Sequence, residues 1–206
     1  MHNPILSKYL EKTEFSSYED FFENYRLKVP EHFNFGFDVV DEWAKIEPEK
    51  PALVWCNDSL EVKTYSFAYA KRYSDKAANA FKKLGIKRGD VVMLVLKQRP
   101  EVWWCITALC KIGATCIPAT FQLMKKDIVY RCNAADVKMI VSVDEEELTR
   151  HITESVPECP TLKTIAAVGE NIPDGFIDMR AEIEAADDNF VPEGEQKMSD
   201  MMLIYF

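Results

Sequence analysis

Residues 89–119 read GDVVMLVLKQRPEVWWCITALCKIGATCIPA, and the fold can be worked out from this stretch. Val91 to Leu96 is an unbroken apolar run, β-branched at its start, which predicts a strand buried on both faces. Pro100 stands where the first turn of a helix tolerates it, because the N–H it lacks would have no helical partner there. Val102 to Cys110 is apolar nearly all round, so the predicted helix is buried, and Trp103 and Trp104 are both expected to be packed. Gly113 can supply the left-handed residue that ends it, and Ala114 to Pro118 reads as a second strand. Strand, buried helix and strand in about thirty residues make one βαβ unit.

The same reading extends upstream. Ser66 caps a long helix in which Phe67, Ala70, Tyr73, Ala77, Ala80, Phe81 and Leu84 recur at helical spacing, closed by Gly85. Pro51 to Cys56 and Leu60 to Tyr65 are short strands around the turn residues Asn57 and Asp58, a hairpin pattern. Asp38 opens a helix with Val39, Val40, Trp43 and Ala44 inside and Pro48 as its stop. Residues 1–35 form a lead-in, with Ser17 capping a helix over Tyr18 to Leu27 and Pro30 stopping it.

Downstream, Lys126 to Ala135 is amphipathic, and Val137 to Val143 is a strand. Asp144 with Glu147 has the spacing of a capping box, for a helix through Ser155. Leu162 to Val168 is a strand, Asn171 to Gly175 a turn, Asp178 to Ala186 a weak helix and 187–200 a polar loop. Met201 to Phe206 reads as a final strand. Strands alternating with helices predict an α/β fold, a doubly wound and mostly parallel sheet flanked by helices, over residues 36–206. Such sheets bind ligands beyond the carboxyl ends of their strands.

A net charge of −9 argues against a general nucleic-acid binder, which needs a basic face. No signal-peptide pattern and no membrane-length apolar run is present, so the cytoplasm is the expected location. The six cysteines show no C-x-x-C spacing and read as reduced residues, most of them in the core; the three histidines are scattered, and no metal site is predicted. The seven glycines never come close enough to build a G-x-G-x-x-G or Walker loop, and no G-x-S-x-G or H-E-x-x-H occurs. Lys97 and Arg99, between the central strand and its helix, are placed to meet an anion or to form local ion pairs.

Three segments carry a resemblance: FNFGFDVVDEWA from residue 33, the run from Gly89 through Glu145, and the closing MLIYF. Together they resemble the medium-chain acyl-CoA synthetases of the AMP-forming adenylating superfamily, over residues 33 to 206 in order. The family joins a carboxylic acid to ATP, giving an acyl-adenylate and pyrophosphate, and then passes the acyl group to coenzyme A. The resemblance implies ATP, coenzyme A and Mg²⁺ as reactants and cofactors and a small carboxylic acid as substrate. It implies that Gln122 lies near bound coenzyme A, with Arg150 and His151 as candidates for its phosphates, although Glu145 to Glu147 departs from the acetyl-CoA synthetase pattern. In the family, the strand matching Leu203 to Phe206 leads into the phosphate-gripping loop, and the catalytic residues follow later. No catalytic residue is therefore expected in this chain, which is expected to fold without binding these cofactors tightly, and to self-associate through its last strand. A non-catalytic binding domain of the same fold, and an adenylating enzyme that loads a carrier protein, are the alternatives.

Overall fold

The computed structural model describes residues 4–206. Two short helices come first, α1 (Leu6–Tyr9) and α2 (Tyr18–Asn24). Ser17 caps α2 as expected, accepting the Asp20 N–H. The helix stops at Asn24 rather than Leu27, because Tyr25 turns extended, and Phe21, Phe22 and Tyr25 are exposed. A π-helical turn, Gly36–Asp41, then runs straight into α3 (Glu42–Ile46). The helix thus begins before Asp38, because Asn34 is the residue that organises its start. The Asn34 side chain accepts the Gly36 N–H, and the Asp38 carboxylate reaches back to accept the Asn34 N–H.

Strands β1 (Pro51–Cys56) and β2 (Val62–Ser66) form the antiparallel hairpin. Leu60 is in its turn rather than in a strand. Asn57 Oδ1 accepts the N–H groups of both Ser59 and Glu61, which leaves Leu60 with a φ of 61° and an exposed side chain. Helix α4 (Phe67–Lys83) follows, capped by Ser66 accepting the Tyr69 N–H.

The main sheet is parallel, in the order β4 (Thr115–Pro118), β3 (Val91–Val95), β5 (Val137–Val143), β6 (Thr164–Val168) and β7 (Ile177–Asp178). Helix α5 (Glu101–Ile112) joins β3 to β4 and ends on Gly113 at φ 78°. Alternation along each strand divides the core in two. Val92, Leu94, Met139, Val141, Ala166 and Val168 face α4, α5 and α8 (Met179–Ala185). Met93, Val95, Ile117 and Ile140 face α6 (Lys125–Ala134) and α7 (Glu146–Ser155). A fully buried side chain of this kind stabilises the fold by roughly 1.5–3 kcal/mol. The βαβ unit therefore stands at the centre, with helices on both sides.

Helix α5 is less enclosed than its composition implies. Trp104 is 6% exposed and packs against Tyr65, Tyr69 and Tyr73, but Trp103 is 56% exposed. Helical spacing turns adjacent residues about 100° apart, and only one of those directions is covered. Near the other end of α5, the Lys111 ammonium is wholly buried, 2.7 Å from both Asp41 and Asp75 and 2.9 Å from Ser74 Oγ. Gly36 makes room for it: a Cβ there would lie 2.6 Å from Lys111 Cγ.

Four cysteines are buried, Cys110 is partly covered and Cys56 is exposed. Burial pushes the thiols of Cys116 and Cys132 up to about 12, which keeps them protonated. The segment from Met201 is reduced from a strand to one parallel bridge, Leu203 with Cys116, beside the β4 edge. Two backbone bonds hold it there: Cys116 N–H to Met202 C=O and Ile204 N–H to Cys116 C=O.

Candidate functional site

The sheet order fixes where a ligand crevice belongs. After β3 the chain passes into α5 on one face, and after β5 it passes into α7 on the other. The loops leaving β3 and β5 thus part company at the carboxyl edge, the switch point where doubly wound sheets take ligands. The loop after β4, from Ala119 to Met124, lies on the α7 side of this edge.

Two of the three residues expected near coenzyme A come together here. Gln122, from the β4–α6 loop, and His151, from α7, line one cavity of about 270 Å³ with Phe121, Leu123, Met124, Glu145, Glu147 and Leu148. The join is local and specific: the His151 Nδ1 edge lies 3.2 Å from the Leu123 carbonyl oxygen. Leu123 itself is buried in the α6–α7 core, which anchors the loop that carries Gln122. Arg150 is at the rim. Its guanidinium pairs with Glu154 at 3.1 Å and lies 3.2 Å from His151 Nε2. Its side chain is half exposed, whereas the His151 ring is also tied to the Leu123 carbonyl.

Sequence reading left the roles of Lys97 and Arg99 open, and the structure pairs both across the switch point. Lys97 binds Glu145, and its ammonium sits 4.0 Å from the centroid of the Phe121 ring. Arg99 lies 3.6 Å from Asp144. Asp144 is not the helix cap that its spacing with Glu147 implied. Its carboxylate turns across the sheet edge and accepts the N–H groups of Glu170 and Asn171, at 2.9 and 3.1 Å, after β6. Gly169 makes this approach possible, because a Cβ there would land 1.8 Å from Asp144 Cγ. Partial burial works against the charged form of Asp144, but these two N–H groups and Arg99 outweigh it and hold the carboxyl below its ordinary value. Nothing in the local sequence signals this contact, since both partners lie beyond the next strand.

A second cavity, of about 470 Å³, lies under the hairpin against Tyr65, Tyr69, Tyr73, Trp104, Glu101 and Arg180. Its charged groups largely satisfy one another. Arg180 clamps one oxygen of Glu101 at 2.7 Å, and the Tyr73 hydroxyl donates to Glu184 at 2.8 Å. Among the described residues, no group of three or more His, Cys, Asp or Glu side chains could hold a metal ion, and no helix is long and apolar enough to cross a membrane.

Comparison with known proteins supplies the family. The model for the AMP-binding enzyme family matches residues 40–206. Acyl-coenzyme A synthetase ACSM4, mitochondrial, of Mus musculus is 37% identical over 187 residues, 86% of this chain and 31% of that protein. Acyl-coenzyme A synthetase ACSM3, mitochondrial, of Homo sapiens is 32% identical over 198 residues, covering 93% of this chain and 33% of that protein. The chain thus spans about a third of the length of the relatives it matches. Two solved structures share the fold: acetoacetyl-CoA synthetase from Streptomyces lividans, with a TM-score of 0.74 and 18% identity over 87% of this chain and 29% of that one, and Brucella canis acyl-CoA synthetase, with 0.72 and 23% over 84% and 31%. The doubly wound sheet, the βαβ unit at its centre and the match over residues 40–206 agree, and the chain belongs to the AMP-binding enzyme family.

Proposed function

We propose that this chain is the N-terminal part of an AMP-forming carboxylic acid–CoA ligase, with residues 1–35 as a lead-in and 36–206 as the opening of the ligase domain. The observation that carries this is the family match from residue 40 onward, joined to relatives named as acyl-coenzyme A synthetases. The ligase would take a medium-chain or related acid, ATP, coenzyme A and Mg²⁺, with the cytoplasm as its site, although the relatives named above are mitochondrial. A cavity at the switch point, with an amide and an imidazole in its wall and an exposed guanidinium beside it, offers hydrogen bonds to a phosphate-bearing thiol carrier, while Glu145 and Glu147 in the same wall oppose its charge. On this reading Gln122 and His151 orient coenzyme A by hydrogen bonds, and Arg150 offsets phosphate charge. On this reading no Mg²⁺ ligand, ATP-phosphate cradle or catalytic role is proposed among residues 4–206.

The chemistry needs charge offset, because carboxylate and triphosphate are both anions. Residues 1–206 alone are therefore expected to give background ATP–pyrophosphate exchange and no micromolar ATP affinity. Exchange above background would overturn this. The complete protein carrying the chain is expected to form acyl-CoA from octanoate, ATP and coenzyme A. Acylation of a carrier protein instead of coenzyme A would favour the carrier-loading alternative. A reading frame that closes at Phe206 in the gene would favour a short binding domain.

A further inference from the structure

The crevice at the switch point is bridged by two ion pairs, and they are not equivalent. Asp144 is committed to the fold by two backbone N–H groups as well as by Arg99. The Glu145 carboxylate, among the described residues, is hydrogen-bonded to Lys97 alone. Both side chains of that pair are well exposed, at 33% and 43%. Two of the residues that Lys97 touches, Glu145 and Phe121, are walls of the cavity that holds Gln122 and His151. Lys97 also has a φ of 51°, a conformation that costs a residue with a Cβ about 1 kcal/mol or more. The loop after β3 thus holds a lysine ammonium against the cavity wall at some backbone expense.

As it stands, that wall carries Glu145 and Glu147 and would repel an anion. We propose that Lys97 is a phosphate-contacting residue of this cavity, kept in reserve by Glu145 and released to a phosphate-bearing ligand on binding. This rests on the coenzyme A reading of the cavity. The exchange costs little, since an exposed ion pair is worth at most about 1 kcal/mol and a phosphate offers more charge and more acceptor oxygens than a carboxylate. Glu145 then turns into solvent, as its exposure permits. Asp144 stays where it is, because it cannot leave Glu170 and Asn171 without opening the loop after β6.

The two partners of the pair should behave in opposite ways, which an ion pair remote from the bound phosphate would not do. The test titrates isotope-labelled protein with millimolar coenzyme A and, separately, with pantetheine, following the amide signals of Gln122, Leu123 and His151. Lys97→Met should weaken coenzyme A about fivefold and Glu145→Gln should tighten it about threefold, on the scale of one exposed ion pair. Pantetheine, which lacks phosphate, should be indifferent to both. If coenzyme A moves those signals but both variants shift affinity in the same direction, or neither does, the reserve role is overturned and the cavity reading stands. If coenzyme A leaves the signals unmoved in wild type and in Glu145→Gln, the cavity reading falls and the reserve role with it.

Discussion

Lys97 stands just before the first turn of α5 and Lys111 in its last, and both face carboxylates. Lys111 is at zero exposure, with three partners from α4 and the π-helical turn. Lys97 is a third exposed, with one carboxylate and one ring. The same side chain is thus a structural bolt at one end of the helix and an available charge at the other. The difference lies in solvent. A buried ammonium that loses its partners cannot recover their interaction from water, and an exposed one can.

The largest expected effect follows from the buried member. Lys111→Met leaves Asp41 without its ion-pair partner and Asp75 with Lys71 alone, and breaking a buried pair in this way costs roughly 3–5 kcal/mol. Urea unfolding measures it. Adding Asp41→Asn should recover part of the loss by removing one stranded carboxylate. A loss below about 1 kcal/mol would mean that the cluster is reached by water and would erase the contrast with Lys97.

The two adjacent tryptophans repeat the contrast without charge. Trp104→Ala removes a ring packed among three tyrosines and should cost roughly 3–5 kcal/mol, whereas Trp103→Ala should stay within about 0.5 kcal/mol. A large loss at Trp103 would place a packing partner over the exposed face of α5.

Carboxylates sharpen the comparison through pH. Burial drives the Asp41 carboxyl above its ordinary value, with Lys111 pulling it back only in part. Its contribution to stability is present below the unfolded value and is lost as pH rises through the folded one. Asp144 is held below its ordinary value, so its contribution is present above the unfolded value, near pH 4, and is lost as pH falls through the folded one. Asp144→Asn should cost about 1–2 kcal/mol at neutral pH, since an amide oxygen accepts the two N–H groups less strongly than a carboxylate. The gap between variant and wild type should narrow as pH falls below 4. A constant gap would show that the carboxylate charge contributes nothing to the latch.

What the sequence made legible was local. The apolar run from Val91, the Ser17 and Ser66 caps and the left-handed Gly113 each depend on neighbours within a turn or a strand, and each is found in place. Misreadings came where a distant group won. Asp144 had the spacing of a cap, but its carboxylate is taken by the loop after β6, a contact that exists only once β5 and β6 are paired. Asp38 looked like a helix start until Asn34 claimed that part. Of the candidate site, Gln122 and His151 came from resemblance, and only the α6–α7 core brings them to one cavity. The partners of Lys97 and Arg99 were illegible for the same reason. They follow from β3 and β5 being neighbours, which a list of strands does not state.

A much smaller effect than at Lys111 is expected at the exposed member of the lysine pair. Lys97→Met removes one ion pair, worth up to about 1 kcal/mol, and one exposed cation–ring contact, worth roughly 0.5–1 kcal/mol, but the long apolar side chain that replaces it can still cover Phe121. The net change in unfolding free energy should stay under about 1 kcal/mol, several times smaller than for the same substitution at Lys111. Salt separates the two further. Raising ionic strength to 1 M shortens the screening length to about 3 Å, which should remove most of what Lys97 contributes while leaving the cost of Lys111→Met nearly intact. Equal losses at both positions, or equal sensitivity to salt, would show Lys97 to be a second bolt. A lysine fixed in that way would not be free to move to a phosphate. A small and salt-sensitive loss would leave it free to do so, because what holds it to Glu145 would then be weaker than what a phosphate offers.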